Sequence, residues 1–408
     1  MIELLFTGGI FQPVKILILH QHYKTPQRGG AIRSYYLAKA LVNKGFHPVV
    51  ITGHNEKVYS IDRAEGIEVH YLPIPYDNRF GFVARSTAFV RYIFGAIRLA
   101  AKIKDISYCY AISVPLTVGL AAMWIKKRHG IPYFFEVGDL WPDAPIQLGF
   151  INNYFFRQSL LELERRIYNS AESIIALSPS IKSAIEAKSV NKVIHVIPNM
   201  ADIDFYQPEQ KDPQLENKYH VAGKFVVAYI GALGVANGLD YFIECANTSR
   251  KAGLPIQFLL CGDGALRDRL KRNAEHLGLY NLSFIDFVNR DGVKEILNVT
   301  DACFICYKNL PILETGSPNK FFDGLAAGKL IVINFGGWIK KEIEETQCGI
   351  AVDPRNPEDF IKKIAPYLSD HKLLQQFQKS ARELSERKYS RSFLSKKFIT
   401  LFQSQTNV

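Results

Sequence analysis

The sequence predicts an α/β protein made of two doubly wound, parallel-sheet domains that face each other across a cleft. Three observations carry that expectation. The chain has 408 residues, beyond one typical domain of about 100–150. The order strand, glycine-rich loop, helix, strand appears near residue 14 and starts again after residue 220. Between the two runs lies "VIHVIPNMADIDFYQPEQKDPQLENKYHVAGK", whose Pro, Asp and Gln content suits a connector.

The first run opens on "VKILILH" (14–20), a short β-rich segment, and the loop "QHYKTPQRGG". "AIRSYYLAKALVNKGF" then places Tyr35, Leu37, Ala40 and Leu41 at helical spacing and closes on Gly45. "HPVVITG" completes a βαβ unit, and "IEVHYLPI", "SYCYAIS", "IPYFFEV" and "SIIALS" supply further strands. In the second run "KFVVAYIGALG", "IQFLLCGDG", "LSFIDF", "ACFICY", "LIVINFGG" and "GIAVDP" read as strands. "LDYFIECANTSRKAG", "LRDRLKRNAEHLGL" and "VKEILNVT" read as helices between them. The expected division is 1–200, 201–385, and a closing helix in 386–408 that packs back toward the first domain. Residues 1–14 read as an extension. Each sheet should bind ligand beyond the carboxyl ends of its strands.

Composition sets the function classes. Hydrophobic residues make up 48% and charged residues 22%, which fits a folded chain and excludes a disordered one. The net charge is +11, concentrated early: residues 1–190 hold 22 Lys/Arg against 14 Asp/Glu, the remainder 28 against 25. Such an excess favours anionic partners, whether lipid surfaces, nucleotides or nucleic acid. No apolar run reaches the roughly 18 residues of a membrane-spanning helix. Cys109, Cys245, Cys261, Cys303, Cys306 and Cys348 sit mostly in apolar runs. The Cys303/Cys306 pair lies in a strand pattern, where positions three apart face opposite sides. Buried free thiols in a reduced cytoplasm are expected.

The stretch "ETGSPNKFFDGLAAGKLIV" (314–332) carries the most chemistry. Pro318 is acceptable at a helix start, and Ser317 or Asn319 can cap it. The amides of Asn319, Lys320 and Phe321 would then point outward at the positive end of the helix dipole. Together with the Lys320 charge they make an anion site. Asp323, in the first turn, is placed to accept hydrogen bonds from ribose hydroxyls. Glu314, before the turn, could take hydroxyls of a sugar beyond a phosphate. A capped helix with no ligand explains the same residues in isolation. "GALGVANG" adds glycines at 231, 234 and 238 after a strand, whereas "AAGKL" is not a nucleotidase phosphate loop.

Taken together, these stretches resemble the retaining GT-B glycosyltransferases of family 4. The resemblance is to bacterial enzymes building O-antigen, capsule and other lipid-linked glycans, nearest the N-acetyl-fucosamine transferases. The matching pieces run from residue 15 to about 400: "TPQRGGAIRSYYLAKALVNKGFHPVVIT", "EVGDLWPD", "IIALSPSIK", "VIPNMADIDFY", "YIGALGVANGLDYFIECA", "CGDG", "SPNKFFDGLAAGKLIV" and "CGIAVDPRNPEDF". The resemblance implies two Rossmann-like domains and brings Gly29 and Gly30 to the donor diphosphate and the reacting sugar. It implies that Gly231 and Gly234 wrap the same phosphates, Asp323 holds the ribose and Glu314 lies near the donor sugar. Three departures stand out. Eight residues, not seven, separate Glu314 from Asp323, and one of the two acids is Asp. Ala232 and Asn237 stand where the family carries Arg and Lys, which leaves Lys320, Arg290 and Arg33 to meet phosphate charge. Gly138 stands where many members have His, leaving Asp139 or Glu136 for polar work.

In such a transfer negative charge builds on the departing diphosphate, so stabilising that charge and holding the acceptor would do the catalysis. No protein nucleophile and no metal are expected; Asp202-Ile203-Asp204 has a metal-site spelling but lies in the connector. The segment "NRFGFVARSTAFVRYIFGAIRLAAKIK" (78–104) reads as a cationic, aromatic amphipathic helix for an anionic membrane, or as a packed helix with a solvated basic face. His20 and His22 border the cleft, Trp141, Pro142 and Asp143 shape or pack its acceptor side, and Asn199 orders the connector. The expected partners are a UDP-sugar and a polyprenyl-diphosphate-linked saccharide at the inner membrane face, without nucleic acid. The alternatives are a UDP-N-acetylglucosamine 2-epimerase-like enzyme of the same fold and a nucleotide-sugar-binding non-enzyme. A nucleic-acid-binding protein would leave the two βαβ halves unexplained.

Overall fold

The structure is a computed structural model and describes residues 14–28, 32–77, 80–188 and 190–406. The first half begins with β1 (Lys15–Leu19), α1 (Arg33–Val42), β2 (His47–His54), β3 (Ser60–Ala64) and β4 (Ile67–Pro73). Next come α2 (Phe82–Ala100), β5 (Ile106–Ile112), α3 (Thr117–His129), β6 (Tyr133–Val137), α4 (Asp143–Gln147) and α5 (Tyr154–Ser170). β7 (Ser173–Ala176), α6 (Pro179–Glu186) and β8 (Ile194–Val196) close this half. The second half holds α7 (Pro213–Lys218), β9 (Phe225–Ile230), α8 (Asp240–Lys251), β10 (Ile256–Cys261), α9 (Arg267–His276) and β11 (Leu282–Ile285). It continues through α10 (Arg290–Val299), β12 (Ala302–Ile305), α11 (Asn319–Ala326), β13 (Leu330–Ile333), α12 (Gly337–Thr346) and β14 (Gly349–Ala351). α13 (Pro357–Ser369), α14 (His371–Leu384) and α15 (Arg391–Thr406) end the chain.

The strands form two sheets, ordered β3-β4-β2-β1-β5-β6-β7-β8 and β11-β10-β9-β12-β13-β14. All neighbours are parallel except β3 on β4. β3 and β8 are absent from the sequence reading. β3 is exposed along its whole length, so no apolar alternation marks it; it is held by a hairpin turn with Glu65 and Gly66 at φ 54° and 83°. β8 has three residues and lies in the stretch read as connector. In both sheets the order reverses once, between β1 and β5 and between β9 and β12. Ligands of doubly wound sheets bind outside the carboxyl ends at this reversal, so the two crevices locate the site.

Apolar burial fixes the layers. Leu17, Leu19, Cys109 and Ala111 face α2, α3 and α5 on one side of the first sheet. Ile16, Ile18, Tyr110 and Phe134 face α1 and α15 on the other, in a core that continues into the second half through Tyr389, Phe321 and Trp338. Cys303 belongs to that core and Cys306 to the opposite face of the second sheet, as the strand alternation requires. All six cysteines are buried and free. α15 crosses back to the first half, with Phe402 4.8 Å from Phe134 and Phe398 4.8 Å from Tyr110, ring to ring.

Candidate active site

The second-half crevice lies where β9 and β12 end. Gly231 leaves β9 with φ 152°, and a Cβ there would sit 3.0 Å from the Lys320 side chain, so glycine keeps the path to that lysine open. Gly234 has φ −102° and opens a short helical turn. Of the three glycines in this loop, the one whose Cβ would strike backbone is Gly238, at φ +56° and 2.8 Å from the Lys308 amide nitrogen.

α11 starts in this crevice, and its amino end differs from the expected cap. Pro318 occupies the cap position, with no side-chain cap. Ser317 points elsewhere: its Oγ accepts from the Asn199 amide at 3.2 Å, and its carbonyl accepts from Asn199 Nδ2 at 2.5 Å. The Phe321 amide donates to Pro318 O at 3.1 Å, leaving Asn319 and Lys320 amides without an acceptor among the described residues. Asn319 is exposed. Lys320 Nζ donates to Tyr229 Oη at 3.2 Å and lies 4.6 and 5.6 Å from the Tyr229 and Tyr307 ring centres. Burial brings its ammonium down to about 8. Asp323 is pushed up to about 7 by burial and by Asp202, against the pull of Arg290; no hydrogen bond reaches its carboxyl among the described residues. A cavity of about 20 Å³ lined by Lys320, Asp323 and Cys303 lies behind this turn, room for one water.

Glu314 has a partner. Its Oε1 accepts from the Gly336 amide at 3.2 Å, and its side chain fills the space a Cβ on Gly336 or Gly337 would need. The carboxylate therefore sits at the positive end of α12. The same turn is tied by Ser178 Oγ to Thr315 O at 2.6 Å and by Trp338 Nε1 to Gly316 O at 2.8 Å.

The arginines are spoken for. Arg290 donates to Asp202 at 2.6 Å and to Tyr36 Oη at 3.1 Å, and lies 4.0 Å over the Phe205 ring. It neighbours Asp323 but its guanidinium is held by Asp202. Arg391 binds Asp202 at 2.9 Å and Asp204 at 2.6 Å, so the connector acids are matched by arginines; no cluster of three candidate metal ligands occurs among the described residues. Arg33 pairs with buried Glu136 at 2.8 Å and donates to Ile197 O at 2.9 Å and to Pro198 O. Tyr110 also donates to Glu136. Arg33 and Glu136 thus satisfy each other, which removes both from the ligand-facing set. The partners are more than 100 positions apart in sequence, so no local pattern betrays them. Lys320 and the open amides remain.

On the first-half side, Asp139 stands just beyond β6 and is exposed. The protein mass around it raises its carboxyl from the ordinary aspartate range despite that exposure, and its charge reinforces the rise that burial imposes on Tyr307. Asp139 and Tyr307 are thus near enough for their charges to be felt. Gly29 and Gly30 lie outside the described residues. His20 pairs with Ser34 at 2.8 Å, and burial, then His22, brings it to about 3. His22 packs 4.4 Å from the Tyr76 ring, at about 4 through burial and Lys24. Both are neutral at pH 7. Asp143 is held by Lys188 at 2.5 Å, and Trp141 packs partly buried on the first-half core.

Sequence reasoning missed two groups. Tyr229 and Tyr307 cradle Lys320; the signal was an aromatic two places before Gly231 and another at the end of β12. Gln21 and Ser113 lie just past β1 and β5, at the first-half reversal. Both are buried, with the Gln21 amide and the Ser113 hydroxyl unpartnered among the described residues.

Comparison with known proteins decides the class. Residues 28–200 match the glycosyl transferase 4-like domain, and residues 210–384 match the glycosyl transferases group 1 family. The chain is a GT-B glycosyltransferase. A relative named as a colanic acid biosynthesis glycosyl transferase, WcaI of Escherichia coli, is 26% identical over 67% of this glycosyltransferase and 68% of its own length. The GT-B fold is shared with sucrose-phosphate synthase of Thermosynechococcus elongatus at TM-score 0.79 and 14% identity, covering 97% and 99% of the two chains. Anabaena HepE, solved with UDP and glucose, superposes at TM-score 0.70 and 17% identity over 96% of this glycosyltransferase and 100% of HepE.

Proposed function

We propose that this glycosyltransferase moves a sugar, with retention, from a UDP-sugar to a polyprenyl-diphosphate-linked saccharide in bacterial surface polysaccharide synthesis. The donated sugar is an N-acetylated deoxyhexosamine. The enzyme works in the cytoplasm, peripheral on the inner membrane face through residues 78–104. Residues 1–200 receive the acceptor and meet the membrane, residues 201–385 hold the donor, and 386–408 brace the two. One observation carries the reading. Lys320 and two open helix amides meet at the second reversal point. The UDP of the HepE complex and the colanic acid assignment of WcaI support the donor and the glycan acceptor.

In this reading the diphosphate lies against the Asn319 and Lys320 amides and the Lys320 ammonium. Charge that develops on the leaving oxygen is stabilised there without a nucleophile. Ionised Asp323 accepts the ribose hydroxyls. Glu314, fixed at the start of α12, presents a carboxylate edge to the sugar beyond the phosphates. Asp139 positions the acceptor hydroxyl from the other side. Calorimetric titration with UDP, GDP and dTDP tests the assignment, with UDP binding tightest. Lys320→Ala should weaken UDP binding by at least about tenfold; undiminished binding would place the diphosphate elsewhere.

A further inference from the structure

α2, α3 and α5 form one layer on the first sheet, with α3 packed against both others. Its outward side holds Val83 (77% exposed), Phe94 (68%) and Trp124 (40%); at and before the start of α5 are Phe150 (59%), Tyr154 (64%) and Phe155 (79%). Scattered apolar groups of this kind need no explanation, but a concentration on one layer marks a docking surface.

Charge indicates what covers it. No Asp or Glu occurs between Asp77 and Asp105, between Asp105 and Glu136, or between Asp143 and Glu162. Arg91, Arg98, Lys127 and Arg128 are exposed on the same helices. An acid-free, cationic and aromatic face complements the headgroup layer of an anionic bilayer. The aromatic segment is also pre-shaped. Gly149 turns at φ 80°, the Phe150 amide donates to Pro145 O at 2.9 Å, buried Ile151 anchors it, and Asn153 Oδ1 accepts from the Phe156 amide at 2.9 Å. Helices of a doubly wound sheet start at the carboxyl ends of its strands, so this tip shares a rim with the cleft mouth.

We propose that Phe150, Tyr154 and Phe155 form a membrane-inserting tip, which enters the headgroup layer beside the cleft while the cations of α2 and α3 bind its anionic surface. The proposal deepens the lipid-linked acceptor reading and rests on it for the purpose of the orientation, not for the binding. The full chain is sedimented with vesicles of phosphatidylcholine containing about a third phosphatidylglycerol, at low salt and at about 1 M, where the screening length is about 3 Å. The native protein should bind at low salt and keep a bound remnant at high salt. Phe150→Ser/Phe155→Ser should cut that remnant by about tenfold or more, with thermal midpoint and UDP affinity unchanged; Arg91→Gln/Arg98→Gln should remove only the salt-sensitive part. The proposal fails if the aromatic variant keeps the native remnant or if the native protein ignores vesicles. It also fails if the aromatic variant dissolves a dimer in solution, which would make the occupant a second copy. UDP titration of the same samples reports separately on the sugar-transfer reading.

Discussion

At Lys320 burial and function act in opposite directions. Desolvation between two tyrosines lowers the ammonium to about 8, so it is charged at neutral pH and loses that charge in mild alkali. Asp323, one turn along, stands at about 7, and the proposed ribose contact strengthens as it ionises and both oxygens become acceptors. UDP affinity should therefore rise as pH climbs through 7 and fall beyond 8; Lys320→Arg should remove the alkaline fall, and a flat profile would refute the pairing. Asp323 also affects stability. Its folded pKa is above the ordinary aspartate value of 3.8, so the folded chain holds its proton more tightly than the unfolded one. Stability from this group is present below pH 4 and declines as pH rises toward 7. Asp323→Asn should raise the melting temperature more at pH 8 than at pH 5 while weakening UDP binding. Arg33 is a structural counterpart: Arg33→Met strands buried Glu136 and should cost about 3–5 kcal/mol in urea unfolding. A loss below about 1 kcal/mol would mean the pair is solvated.

At the scale of elements, α11 shows what sequence makes legible and what it hides. The helix, its proline start and the inward Phe321 and Phe322 follow from local pattern, and Gly324 approaches Cys303 closely enough to explain the small residues that follow. The cap was not legible, because the Ser317 hydroxyl answers to Asn199, 118 positions away. Arg290 and Arg33 were equally opaque as phosphate ligands, since their acids come from the connector and from β6. Longer strands buried on one or both faces could be read; β3, exposed throughout, and the three-residue β8 could not. The unpartnered Gln21 and Ser113 became visible only when burial was known. Leaving such groups unmade costs about 1–3 kcal/mol each, so Gln21→Met should leave stability unchanged or higher while raising the KM for acceptor. A fall in stability with unaltered KM would mark Gln21 as a packing residue.

On the scale of the molecule, the two halves are joined by more than the connector. α15 returns to lay Phe398 and Phe402 on Tyr110 and Phe134, in an apolar core that spans both halves. Phe402→Ala should cost about 3–5 kcal/mol, measured by chemical denaturation. A cost under about 1 kcal/mol would make α15 a loosely held strap. Arg391, at the head of that helix, grips both connector acids while Asp202 also holds Arg290, so the crossing helix and the second half share one charge network.

The turn before α11 hangs from both halves at once: Ser178 and Asn199 hold it from one side, Trp338 from the other. Swinging the halves apart therefore tugs on the turn that leads into the Asn319 and Lys320 amides, the proposed diphosphate cradle. On the proposed donor site, departure of the spent nucleotide and parting of the two halves become a single mechanical event.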